Sequence, residues 1–178
     1  TRPRETAMKT LYLLRHAKSS WDDPERADHD RPLAPRGRAA APRIAVWLRT
    51  QARRPELVVC SSAARARETW DLIARELQPV PEVDVRRALY EAGADQVIAT
   101  AGATPARVGA LMLVGHNPAL EDAARLLAGA GDAQALAAMR RKYPTAAVAE
   151  LSFEVDSWSE VSRDTGYLAR FVRPKDLE

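Results

Sequence analysis

Lys9 to Asp22 reads KTLYLLRHAKSSWD, and the change of character midway along this stretch decides the fold. Leu11-Tyr12-Leu13-Leu14 is a short continuous apolar run of the kind that forms a strand buried on both faces of a sheet. It breaks at once into Arg15-His16. Core packing has no use for a guanidinium and an imidazole there, whereas open α/β sheets bind their ligands just outside the carboxyl ends of the strands. The stretch predicts a strand that delivers two polar side chains to a site; a strand that simply reaches solvent is the alternative.

Two further apolar runs end in the same manner. Leu57 to Cys60 is followed by Ser61-Ser62 and a helix that carries Arg65, and Val108 to Val114 by Gly115-His116-Asn117-Pro118 and another helix. In a wound sheet these strand ends converge on one edge. With Ser62 as N-cap, Arg65 falls in the first helical turn, where the helix dipole disfavours a cation. A bound anion would remove that conflict, and a pair with Glu68 three residues on is the structural alternative. Asn117 as N-cap and Pro118 as first helical residue would place His116 just ahead of a helix N-terminus.

Periodicity fills in the rest. A helix is predicted over 36–51 with Ala40, Ile44, Trp47 and Leu48 on one face, which makes Trp47 core. The helix after Ser62 turns Ala66, Thr69, Trp70, Ile73 and Leu77 inward and ends before Pro79 and Pro81. A short strand over 82–86 follows, then a weak helix over 94–101. The helix after Pro118 buries Leu120, Ala123, Ala124 and Leu127, a break falls at 129–132, and another helix runs to about Arg141. Strands over 148–155 and 167–173 close the chain through a hairpin-like connection. The long polar segment from His16 to Pro35 reads as a loop, with Asp28, His29 and Asp30 solvated and not a cation site. Residues 1–8 read as a flexible terminus. Residues 9–178 read as a single α/β domain of three layers, α/β/α, around a mixed, mostly parallel sheet.

Composition narrows the function. The single cysteine, Cys60, excludes an internal disulfide and a thiolate zinc site, and the three histidines show no metal-ligand spacing. No metal is expected. The net charge is +3, but basic residues are interspersed with acids, and aromatics make up only 6% of the chain. Neither a basic stripe nor a stacking platform is visible, which argues against nucleic acid. No apolar run approaches a membrane span, and the first residues lack the apolar core of a signal peptide. The expectation is a cytoplasmic protein without a membrane partner.

The same residues carry a family resemblance. LLRHAKSSW resembles the RHG signature of the histidine phosphatase superfamily, with Ala17 where glycine is usual. SSAARARET resembles its second arginine motif, and GHNP its second histidine motif. DRPLAPRG at 30–37, LYEA at 89–92 and the closing RPKDL are most similar to the SixA-like phosphohistidine phosphatase branch. The resemblance runs from about Lys9 to Leu177 and implies a phosphoglycerate mutase-like fold.

It implies that His16 is the nucleophile, forming a phosphohistidine that water then hydrolyses to inorganic phosphate. Arg15, Arg65 and His116 would hold the phosphoryl oxygens, with Ser19 and Asp22 as possible further phosphate or pocket contacts. No cofactor is implied. Glu91 lies where many relatives carry a general acid, and an exposed loop residue is the equal alternative. A phosphoramidate parts with imidazole more easily than an ester with alkoxide, so a weakly placed acid suits a phosphohistidine substrate. No long insertion between Thr69 and His116 is available as a lid, which suits a phosphorylated protein surface better than an enclosed metabolite. A small-molecule phosphomonoesterase and a non-catalytic phosphate-binding module are the alternatives.

Overall fold

The computed structural model describes residues 7–178. Positions 1–6 of the terminus expected to be loose lie outside the described residues, and Met8 already belongs to the first strand. Seven strands form one sheet: β1 (Met8–Arg15), β2 (Leu57–Ser61), β3 (Glu82–Arg86), β4 (Ala110–Gly115), β5 (Ala128–Gly131), β6 (Val148–Glu154) and β7 (Gly166–Val172). Their order is β3-β2-β4-β1-β6-β7-β5. The β3-β2, β2-β4, β4-β1 and β7-β5 pairings are parallel, and β1-β6 and β6-β7 are antiparallel. The sheet is mixed and mostly parallel, as the buried runs of β1, β2 and β4 require.

Among the described residues five α-helices accompany the sheet: α1 (Pro35–Arg49), α2 (Ala64–Ala74), α3 (Ala94–Gly102), α4 (Ala119–Leu127) and α5 (Ala133–Arg141). Alternation along the strands divides the core between the two faces. Leu11, Leu13, Leu111, Leu113, Leu151 and Phe153 pack with residues of α3, α4 and α5 and with the fully buried Trp158. Tyr12, Leu14, Val58, Cys60, Met112 and Val114 pack with residues of α1 and α2. These are the three layers. Among the described residues no helix is long and apolar enough to cross a membrane.

The structure departs from the sequence expectation in two places. The α1 face is rotated: Gly37, Ala41, Ile44, Ala45 and Leu48 are buried, while Ala40 and Trp47 are half-buried at its margin. Trp47 still packs edge-on against Tyr12, with ring centroids 6.1 Å apart. The break expected at 129–132 is mostly strand, since Ala128–Gly131 forms β5. Ala-Gly-Ala-Gly carries no strand propensity, so this strand is made by its pairing with β7. At Gly129 a Cβ would lie 2.1 Å from the Asp164 carbonyl, an approach only glycine permits.

The register fixes where the site must lie. Arg15 is beside Gly115 and Cys60 beside Val114, so β1, β2 and β4 end level with one another. The backbone amide of His16 still donates to the Gly115 carbonyl, 3.0 Å away, before the chain leaves the sheet.

Candidate active site

His16 is buried at the end of β1, and its Nδ1 lies 2.7 Å from the Ala17 carbonyl. A carbonyl only accepts, so Nδ1 must carry the proton and the lone pair resides on Nε2. Burial pushes the imidazole pKa down to about 3, with the charges of His116, Arg65 and Arg15 acting in the same direction against the Ala17 hydrogen bond. His16 is therefore a neutral imidazole of fixed tautomer at neutral pH. The His116 ring centroid is 5.2 Å from it.

Arg15 precedes it. Its Nη1 donates to the Tyr143 carbonyl at 2.9 Å, and the Tyr143 hydroxyl donates back to the Leu13 carbonyl. The Ala146 amide donates to both the Arg15 and His16 carbonyls at 3.0 Å, and Ala146 adopts a left-handed conformation with φ of 61°. A non-glycine residue held there costs on the order of 1 kcal/mol, so surrounding contacts impose it. Residues 143–147 thus wrap the Arg15-His16 backbone, a role with no signal in the sequence.

Arg65 sits in the first turn of α2 as expected, although Ala63 is the N-cap in place of Ser62. The helix-dipole conflict is met by an anion other than Glu68, whose Oε2 accepts from the Leu33 amide. Arg65 Nη1 donates to the Asp28 carbonyl oxygen at 2.8 Å and Nη2 to Asp28 Oδ2 at 3.1 Å. Asp28 belongs to a single 3-10 turn over Asp28–Asp30 within the long loop, so that residue is not simply solvated. Tyr90 donates its hydroxyl to Asp28 Oδ2 at 2.7 Å and Arg31 its Nε to Oδ1 at 3.0 Å. The hydrogen bond from Tyr90, then that from Arg31 and the charge of Arg65, hold the carboxyl down to about 2 against its desolvation.

His116 follows β4. Pro118 is the N-cap of α4, displacing Asn117 from that position, yet the Asn117 side chain still caps the helix by accepting from the Glu121 amide at 3.3 Å. His116 Nε2 lies 2.7 Å from Ser61 Oγ, and burial pushes its pKa down to about 4. The Tyr90 ring stands edge-on to His116 at 5.7 Å and to His29 at 4.7 Å. His29, expected to be without a role, is half-buried and lies 2.8 Å from Ser62 Oγ through Nε2.

Other expected residues lie further out. Ser19 is buried but accepts from Arg31 Nη1 at 2.8 Å, so it supports the neighbour of Asp28. Asp22 is exposed. The Glu91 side chain is 71% exposed and lies 3.9 Å from Arg87, outside these contacts. Tyr90 is the member of the LYEA motif brought to the cluster. Ala17 is accommodated fully: its methyl packs with Leu33 and Ala146, and its amide donates to Thr69 Oγ1 at 3.0 Å.

Arg15 is held through Nη1, Arg65 through both Nη1 and Nη2, and His116 through Nε2. Among the described residues, the buried side-chain nitrogens and oxygens without a hydrogen-bond partner are Arg15 Nε, Arg65 Nε and His116 Nδ1. A buried polar atom left unpaired costs about 1–3 kcal/mol, so each of the three asks for a partner or a catalytic role. Two guanidiniums and an imidazole are thus gathered around a neutral histidine at the carboxyl edge of the sheet, a donor set whose chemistry suits an oxyanion.

Comparison with known proteins supplies the family. Residues 11–98 match the model of the histidine phosphatase superfamily (branch 1). An uncharacterized protein of Mycobacterium leprae is 36% identical over 166 residues, covering 91% of this chain and all of that protein. A structure from Agrobacterium tumefaciens, described as a candidate phosphohistidine phosphatase SixA, is 30% identical with a TM-score of 0.78, over 93% of this chain and 98% of that one. Its counterpart from Nakamurella is 29% identical with a TM-score of 0.79, over 94% and 97%. The chain belongs to the histidine phosphatase superfamily, in its SixA-like branch, and is an enzyme of the phosphatase class.

Proposed function

We propose that residues 9–178 are a single catalytic domain that removes phosphate from phosphohistidine on proteins, without a metal or other cofactor, through a phosphohistidine intermediate on His16. The observation that carries this reading is the set of three unpartnered buried nitrogens beside a histidine whose only free lone pair is on Nε2. Nε2 attacks phosphorus in line as the bond to the leaving group breaks. Arg15, Arg65 and His116 bind the equatorial oxygens and stabilise the charge that builds there. Water then attacks the phosphorus of the His16 adduct, releasing inorganic phosphate and restoring the imidazole.

The leaving group decides the substrate class. An alkoxide needs a proton from an acid within hydrogen-bond reach. Asp28 is held ionised at ordinary pH, and the exposed Glu91 is engaged with Arg87. A phosphohistidine needs neither, because its far ring nitrogen takes a proton from water and the group departs as neutral imidazole. The names of the SixA-like structures point to the same chemistry.

The test compares hydrolysis of a phosphohistidine-bearing protein with that of para-nitrophenyl phosphate, for wild type, His16→Ala and Glu91→Gln. Loss of both activities in His16→Ala, with phosphohistidine hydrolysis unchanged in Glu91→Gln, is the expected result. Full activity in His16→Ala would overturn the mechanism. A strong preference of the wild type for small esters would favour a metabolite phosphatase, and an inert wild type a phosphate-binding module.

A further inference from the structure

Asp28 lies 37 residues before Arg65 in the chain and has no part in the mechanism above, yet Arg65 meets it twice. The backbone oxygen of Asp28 takes Nη1 and its carboxylate takes Nη2, so both terminal nitrogens of the guanidinium are gripped by one residue. Arg65 Nε is left buried and unpartnered. We propose that Asp28 is a positioning residue for Arg65, a two-point clamp that fixes the guanidinium plane so that Nε is committed to the phosphoryl oxygen in the transition state. The inference rests on the phosphate-site reading of Arg65 given above.

Three features support a clamp over a carboxylate that merely competes with phosphate. First, a competitor would be expected to take the nitrogen the phosphate needs, whereas Asp28 leaves Nε free. Second, the carboxylate is itself held at both oxygens, by Arg31 Nε on Oδ1 and by the Tyr90 hydroxyl on Oδ2. Arg31 is anchored in turn by Ser19 Oγ, the Ser20 carbonyl and the face of Trp21, whose ring centroid is 3.5 Å from its guanidinium carbon. Third, Asp28 is shared between two guanidiniums, so Arg65 keeps net positive character for its anion. An arginine free to rotate would lose orientation as the phosphoryl group flattens, and geometric precision at a reacting centre is worth large factors in rate.

The exposures make the experiment clean. Arg65 is 8% exposed, but the Asp28 side chain is 50% exposed, so replacing it should leave the core intact. Full-length wild type, Asp28→Asn and Tyr90→Phe are titrated with inorganic phosphate and with orthovanadate, which adopts the trigonal-bipyramidal arrangement of the transition state. Turnover of para-nitrophenyl phosphate is measured on the same samples. For Asp28→Asn, vanadate should bind about tenfold more weakly and kcat should fall by about tenfold, while phosphate affinity and KM stay within about threefold. Tyr90→Phe should move the same quantities in the same direction by a smaller factor.

Tighter binding of both anions in Asp28→Asn would show a competitor and overturn the clamp. Equal weakening of both, or no change, would overturn it as well. A wild type that prefers vanadate, loses that preference in Asp28→Asn, and yet hydrolyses nothing would overturn the phosphatase reading while upholding the clamp.

Discussion

The Arg15 guanidinium donates to the carbonyl of Tyr143 at 2.9 Å, and the Tyr143 hydroxyl donates to the carbonyl of Leu13 two residues before Arg15. One residue on another part of the chain therefore holds both the strand and the side chain that the strand delivers. Tyr143 is fully enclosed, and its ring packs edge-on to Phe171 at 5.0 Å.

Tyr143→Phe tests that link. It keeps the ring and the carbonyl but removes the hydroxyl, and one hydrogen bond in such a setting contributes about 1 kcal/mol. Urea denaturation should show a loss of that order. Turnover should fall only a few-fold, because the Arg15–Tyr143 carbonyl bond remains.

Low pH should weaken the fold through His16 and His116. Burial pushes His16 down to about 3 and His116 down to about 4, against an unfolded value near 6.5. Between these limits the unfolded chain binds protons that the native one does not, so stability falls as pH drops below about 6.5. The slope is roughly 1.4 kcal/mol per pH unit for each group. Denaturation midpoints at pH 7 and pH 5 should show this loss, and His116→Gln should remove about half of it. Equal midpoints would mean that the imidazoles are not held neutral.

Gly37 lies in the DRPLAPRG motif and has an ordinary backbone, so its importance is one of space. A Cβ there would lie 2.2 Å from the Lys18 carbonyl oxygen, against the segment that follows His16. Backbone cannot yield as a flexible side chain can. Gly37→Ala should cost about 1–3 kcal/mol by overpacking and should lower kcat by shifting residues 17–18. A thermal melt with parallel kinetics measures both.

The sequence displayed whatever its periodicity and strand ends could encode. The level ends of β1, β2 and β4 follow from three apolar runs that each stop at a polar residue, and α2 buries Ala66, Thr69, Trp70 and Ile73 as its spacing predicts, while Leu77 is buried just beyond its end. Pairings across loops were not legible. Asp28 meets Tyr90 over a separation of 62 residues, and Arg15 meets Tyr143 over 128; neither leaves a local pattern. In LYEA the eye goes to the carboxylate of Glu91, since acids carry proton chemistry. The tyrosine beside it is the residue that reaches the cluster, because its hydroxyl finds the ionised Asp28. Strand β5 was equally hidden, for Ala-Gly-Ala-Gly becomes a strand only beside β7.

Thr69 offers the sharpest test of how the tautomer of His16 is kept. The Ala17 carbonyl receives the proton of His16 Nδ1, and the Ala17 amide donates to Thr69 Oγ1, which itself donates to the Arg65 carbonyl. A single hydroxyl of α2 thus pins the residue that fixes the imidazole and touches the backbone of the second arginine. Thr69→Val preserves shape but leaves the Ala17 amide without its acceptor in a fully buried place. The cost should be about 1–3 kcal/mol of stability. Activity should fall further than stability implies, since Ala17 can then drift and His16 Nδ1 lose its carbonyl. Thr69→Ser retains the hydroxyl and should recover most of the rate while losing the methyl's packing. If the serine and valine variants were equally active per folded molecule, the Thr69 hydroxyl would have no part in orienting His16.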